Sequence, residues 1–209
     1  MTTLETAPLM FISHGAPTFA IEPGVLGKQL RDIGQTLRNI KAVLVISPHW
    51  QTNDIEVMTN SMPETIHDFY GFPEALYSLQ YPASGNPSLA KKVIELLAEH
   101  KTYASENSSQ GYDHGAWVPL RYLFPAADVP VVPLSIQHHD GPVHAYRVGQ
   151  ALAPLAEQGW LIVASGNITH NLRDWQIASM RGGADVSYAH AFSDWVHAQI
   201  EARNIDALL

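Results

Sequence analysis

Four apolar, strand-like runs of this chain lead directly into histidine. Leu9-Met10-Phe11-Ile12-Ser13 precedes His14, and Val43-Leu44-Val45-Ile46-Ser47-Pro48 precedes His49. Residues 131–137 run into His138-His139, and residues 161–169 into His170. Neutral imidazole is the commonest metal ligand, and open α/β sheets bind ligands in the crevice outside the carboxyl ends of their strands. Histidines delivered by several strand ends to one rim therefore predict a metal site. His14 is followed by Gly15-Ala16-Pro17, a sharp turn that exposes it at the rim, and Pro48-His49-Trp50 repeats the arrangement on the next strand.

The other histidines differ in context. His170 leaves a polar, glycine-containing strand exit, and His114 sits on a loop before a helix, in Tyr112-Asp113-His114-Gly115-Ala116-Trp117. Asp113 is adjacent to His114, but neighbouring side chains need not meet, so the spacing assigns no dyad. His67 lies in an aromatic loop and could line a substrate pocket. His138 and His139 stay ambiguous, because a metal site rarely takes consecutive histidines. His100, His144, His190 and His197 fall on helical segments and read as surface residues.

The elements that must position these groups follow from hydrophobic period. A helix is predicted from Val25 to Leu37, strands over 42–47 and 55–59, and a helix opened by Asn86-Pro87 as N-cap and first residue. Residues 115–124 and 142–158 read as helical, 130–136 and 160–165 as strands. A last helix is expected over about 184–203, with Tyr188, Phe192, Trp195 and Val196 on its inner face. Such alternation predicts one α/β domain with a mostly parallel central sheet and helices on both faces. The stretch 60–86 is long and irregular, and its aromatics (Phe69, Tyr70, Phe72, Tyr77, Tyr81) point to function rather than disorder.

Composition narrows the chemistry. The 209 residues include no cysteine, which removes disulfides, thiolate zinc sites and cysteine nucleophiles and fits a reducing cytoplasm. A formal charge of -8 argues against nucleic-acid or anionic-membrane binding. No signal peptide and no apolar run of roughly 20 residues is apparent, so no membrane association is expected. There is no G-x-S-x-G elbow, P-loop, G-x-G-x-x-G after a strand, or H-E-x-x-H. Nitrogen and oxygen ligands without sulfur suit Zn, Fe(II) or Mn, and an open rim beside an aromatic loop suits a planar aromatic substrate.

These segments, with Thr65-Ile66-His67-Asp68-Phe69-Tyr70-Gly71-Phe72-Pro73, Pro133-Leu134-Ser135-Ile136 and Ser165-Gly166-Asn167-Ile168-Thr169-His170-Asn171, occur together in a specific order and spacing. In them the chain resembles the class III extradiol ring-cleaving dioxygenases, most closely the DOPA-dioxygenase-like branch. The resemblance implies one mononuclear divalent metal, Fe(II) for oxygenation or Zn(II) as occupant. It implies His14 and His49 as ligands, with His170 as a further ligand or an acid/base group and His114 as another active-site histidine. His67, Phe69, Tyr70 and Phe72 would wall the ring of a catechol or DOPA-like substrate that reacts with O2. His114 or His170 would take the second hydroxyl proton and return a proton later, a task suited to imidazole at neutral pH.

The family continues past the position of Leu209 through a segment with a Glu-His pair that supplies its last ligand. The expectation is thus a catalytic domain over 1–209 lacking that segment, or a site closed locally by Asp113 or Asp68 as a 2-His-1-carboxylate triad. Competing readings are a zinc-dependent hydrolase, in which the same histidines activate water, and an inactive metal- or ligand-binding homologue. Self-association as a homo-oligomer is left open.

Overall fold

The computed structural model describes residues 6–137, 139–180 and 186–209. They fall into two compact units, one ending at Gly166 and one running from Asn167 to Leu209. His138 and the first residues of the expected last helix lie outside the described residues.

The first unit is built on six strands: β1 (Leu9–Ser13), β2 (Ala42–Thr52), β3 (Ile55–Met58), β4 (Ala104–Asn107), β5 (Val131–Gln137) and β6 (Trp160–Gly166). Their order across the sheet is β1-β6-β2-β5-β3-β4. β1, β6, β2 and β5 are parallel, whereas β3 meets β5 antiparallel and carries β4 parallel to itself. The mostly parallel α/β sheet expected from the alternating pattern is thus present. The reversal at β3 has a local cause: only two residues, Asn53 and Asp54, separate β2 from β3, too few for the crossover that a parallel return requires.

Both faces of the sheet are covered, which explains why the strands read as continuous apolar runs rather than alternating ones. Val43, Val45, Val131, Leu161 and Val163 pack on one side in a cluster with Leu30, Trp117 and Leu120. These last come from helices α1 (Gly24–Thr36) and α4 (His114–Leu123). Ala42, Leu44, Val132, Leu134 and Trp160 pack on the other side with Val93, Leu97, Val148 and Leu152, from α3 (Pro87–Glu99) and α5 (Gly141–Leu152). Asn86 caps α3 as its sequence predicts, its side chain accepting the Leu89 N–H. The helix expected over 142–158 is divided at Ala153 into α5 and the short α6 (Pro154–Glu157). Pro154 cannot donate the next helical hydrogen bond.

Three local features escape the sequence pattern. β4, with the sequence Ala-Ser-Glu-Asn, carries little apolar signal and exists because it pairs with β3. The short helix α2 (Glu74–Tyr77) interrupts the aromatic loop, and α7 (Leu172–Met180) opens the second unit. The second unit continues as α8 (Ser187–Glu201) and α9 (Ile205–Leu208). Along α8 the face expected to turn inward is not buried: Tyr188, Phe192 and Trp195 are exposed, and Phe192 stacks on Trp195 of its own helix. No helix among the described residues is long and apolar enough to cross a membrane.

α4 is the rigid platform of the first unit, with nine of its ten residues buried. Close packing of α1 against it depends on Gly34, where an added Cβ would lie 2.0 Å from the Leu123 carbonyl oxygen. Alanine would gain up to about 1 kcal/mol of helix propensity, but overpacking of this kind costs about 1–3 kcal/mol. A backbone carbonyl cannot swing aside as a side chain can. Gly34→Ala should therefore lower the thermal unfolding midpoint, as read by circular dichroism.

A candidate metal centre at the carboxyl rim of the sheet

His14 and His49 reach the site by different local devices. His14 follows β1 directly, its N–H donating to the Gly166 carbonyl at the end of β6, and Gly15 then turns the chain at φ +63°. His49 lies inside β2, where the ladder with β5 breaks: Ile46 pairs with Leu134, but the next pair is Gln51 with Ile136. Five residues of β2 are thus matched to two of β5. The surplus falls at Ser47-Pro48-His49-Trp50, where Pro48 has no N–H to offer the ladder. The segment bulges and carries the His49 ring out of the sheet.

The bulge is fastened to α4. Ser47 Oγ accepts the His49 N–H (3.2 Å) and donates to Asp113 Oδ1 (2.5 Å). Asp113 is the N-cap of α4, and the same Oδ1 accepts the Ala116 N–H at 3.2 Å. Burial pushes the Asp113 carboxyl above the usual carboxylate range, an effect that the Ser47 hydrogen bond opposes. Asp113 therefore serves the scaffold and turns to Ser47, not to the adjacent His114.

His114, first residue of α4, brings its buried ring to the other two. Ring centroids are 5.0 Å apart for His14–His49, 5.3 Å for His14–His114 and 3.9 Å for His49–His114. One nitrogen from each ring lies within 4.8 Å of the others, and the Nε2 atoms of His14 and His49 are 3.1 Å apart. The donor set fits a divalent metal. Metal–nitrogen bonds of about 2.0–2.1 Å set neighbouring ligand nitrogens roughly 2.8–3.4 Å apart across octahedral and tetrahedral geometries. His14 is further fixed through Nδ1, which lies 2.6 Å from Ser165 Oγ, leaving Nε2 to face the cluster.

Asp68 stands behind this group. Its Oδ1 accepts the backbone N–H of His114 (2.9 Å) and lies 2.9 Å from His114 Nδ1. Its Oδ2 lies 3.5 Å from His49 Nδ1. Partial burial raises the Asp68 carboxyl, but hydrogen bonds and charge from His114 outweigh it and hold the group below the usual carboxylate range.

The residues expected to wall a substrate are placed unequally. Phe69 is buried and stands edge-on to His114, with centroids 5.7 Å apart. His67 lies behind Phe69, packed against Phe69, Tyr77 and Trp117 and bonded through Nε2 to the Leu79 carbonyl. Tyr70 is 90% exposed. His170 belongs to the second unit, exposed between Gly166 and α7. His100, His139, His190 and His197 are exposed, and His144 bonds Gln137. A cavity of about 580 Å³ elsewhere, lined by Asp54, Lys101, Asp140 and Arg147 among others, contains none of the clustered histidines. Ser47, Ser165 and Gly115 were not singled out by sequence. Of these, only Gly115 carried a signal, as a glycine one position into a helix beside a candidate histidine.

Residues 8–208 match the family described as the catalytic LigB subunit of aromatic ring-opening dioxygenase. Over 196 residues the chain is 37% identical to the 4,5-DOPA dioxygenase extradiol of Escherichia coli (strain K12), covering 92% of this chain and 70% of that protein. It is 40% identical over 195 residues to the 4,5-DOPA dioxygenase extradiol of Beta vulgaris, covering 91% and 71%. The crystal structure of an uncharacterized protein from Escherichia coli K12 superposes with a TM-score of 0.64 at 32% identity, over 80% of this chain. The chain spans 62% of the length of that structure. The chain therefore belongs to the aromatic ring-opening dioxygenases of the class III extradiol type, in their DOPA-dioxygenase-like branch.

Gly115 lets α4 approach the bulge: a Cβ there would lie 2.3 Å from Ser47 Oγ and 2.9 Å from His49 Cδ2. Ser47 cannot move without losing Asp113, so an overpacking cost of about 1–3 kcal/mol exceeds the propensity gain of up to about 1 kcal/mol. Gly115→Ala should weaken Zn(II) or Co(II) binding at least tenfold in a chelator-competition titration while leaving the far-ultraviolet spectrum unchanged.

Proposed function

We propose that this protein opens the ring of a catechol-type, DOPA-like substrate with O2 at a mononuclear metal held by His14 and His49. The observation that carries the reading is the 3.1 Å approach of the His14 and His49 Nε2 atoms beside His114, in a chain of the aromatic ring-opening family. A divalent ion there, Fe(II) for oxygenation with Zn(II) as an alternative occupant, would supply Lewis acidity and bring both reactants together.

The remaining work falls to this chain's own groups. His114 sits next to the two ligand rings, so its imidazole would take a catechol hydroxyl proton through Nε2 and return one as the ring opens. Its low exposure limits competition from bulk water. Phe69 offers an apolar wall beside His114, His67 backs that wall, and Tyr70 lies at the exposed rim of the same loop.

The test is anaerobic reconstitution with Fe(II), then DOPA or catechol and O2, following the yellow ring-opened product. The reading expects yellow product with Fe(II) and none with Zn(II). Ester or amide turnover with Zn(II) alone would favour a hydrolase, and binding without turnover an inactive homologue. His14→Ala or His49→Ala should reduce bound metal, measured by elemental analysis, to a few per cent of the unmodified protein. His114→Ala should retain metal yet lose 10²–10⁴-fold in rate, the range typical of a general acid–base group.

A further inference from the structure

One carboxylate faces two of the three clustered rings, and both approaches are made through Nδ1. We propose that Asp68 is a positioning residue for ring opening: it holds the Nδ1 protons of His114 and His49, so that both rings present Nε2 to the metal and substrate side. The inference rests on the proposed roles of His49 as ligand and His114 as acid/base group.

The His114 contact fixes where the proton must be. Nδ1 is buried and 2.9 Å from Asp68 Oδ1, but the ring is turned so that an N–H would point off the line to that oxygen, and no aligned hydrogen bond forms. An unprotonated Nδ1 would set its lone pair against a carboxylate oxygen at that distance, which is repulsive. A proton on Nδ1 makes the same contact attractive, and Nε2 is then the basic nitrogen of the neutral ring. At His49 the 3.5 Å separation is an ion-pair distance, and its Nε2 already faces His14.

Asp68 is itself held independently of both rings. The backbone N–H of His114 donates to Oδ1, so the start of α4 anchors the carboxylate. The loop that carries it is tied down just ahead of Asp68. Ile66 N–H donates to the Tyr112 carbonyl, Trp117 Nε1–H donates to the Ile66 carbonyl, and Thr65 Oγ1 accepts the Tyr81 N–H. Phe69, edge-on to His114, restricts rotation of that ring. The arrangement matches a general requirement: a histidine that binds metal or moves a proton through one nitrogen needs the other nitrogen engaged to fix its tautomer and orientation. His14 meets the requirement with a neutral hydroxyl, Ser165. His49 and His114 share one carboxylate.

The test reads tautomers directly, without turnover. Protein labelled with ¹⁵N in histidine is recorded by long-range ¹H–¹⁵N NMR at pH 8, free of metal and with Zn(II), for the unmodified chain, Asp68→Asn and Asp68→Ala. The unmodified chain should carry the proton on Nδ1 of both His49 and His114. Asp68→Ala should move the His114 proton to Nε2 and weaken Zn(II) binding roughly 10- to 100-fold, the usual effect of losing such a partner. Asp68→Asn should keep the His114 tautomer, because its oxygen stays anchored by the His114 N–H, while its amide now faces His49 and shifts that ring to the Nε2–H form. A purely structural role would not separate the two rings in this way. Nε2–H tautomers in the unmodified chain, or tautomers indifferent to both substitutions, would overturn the proposal. If the tautomers behave as expected while Fe(II)-loaded protein leaves catechol intact, the positioning role stands and the dioxygenase reading fails.

Discussion

The hydrogen bond from Ser47 to Asp113 is the constraint on which the site depends. A parallel β2–β5 ladder would keep His49 within the sheet, and the Pro48 bulge releases it. A bulge alone does not choose a direction. Ser47 Oγ chooses it by accepting the His49 N–H and donating to Asp113, the N-cap of α4. A strand irregularity is thereby locked to the start of the most buried helix in the unit, and His114 is the first residue of that helix. Two of the three clustered rings are positioned by a single relay of hydrogen bonds. The cost is a buried carboxyl group. Part of that cost is met by the hydrogen bonds from Ser47 and Ala116, and by the helix amino terminus, where negative charge is favoured.

The third ring arrives by sheet register. β1 lies beside β6, so His14 emerges where β6 ends, next to Ser165 and Gly166. The carboxyl ends of parallel strands form the rim where α/β sheets bind ligands. Here the rim receives its nitrogens from one strand end, one bulge and one helix start. The aromatic loop then packs against the helix through Trp117 and Phe69. That packing fixes Asp68 behind the cluster and sets an apolar surface beside it, a division of labour suited to a planar, polar-edged substrate.

Much of this arrangement was legible in the chain. The apolar runs into His14 and His49 identified both rings and the rim. The alternating period identified a covered, mostly parallel sheet, and Asn86-Pro87 marked a helix start that forms as expected. The roles of Ser47 and Ser165 were not legible, because a serine in a strand has no pattern of its own, and each matters through a partner 66 or 151 residues away. Asp113 read as a candidate metal-closing carboxylate, yet it became a helix cap, because its position before α4 decides its hydrogen bonds. β4 was missed because pairing with β3 stabilises a segment whose own residues favour no strand.

The central claim is that His14 and His49 converge to hold one metal, with the His114 ring beside it. Anomalous diffraction from crystals soaked anaerobically in Fe(II) tests it most directly. The account predicts a single anomalous peak about 2.0–2.2 Å from Nε2 of both His14 and His49, with the Ser47–Asp113 hydrogen bond intact. A peak bound elsewhere on the chain, or a cluster that stays empty at saturating Fe(II), would contradict it.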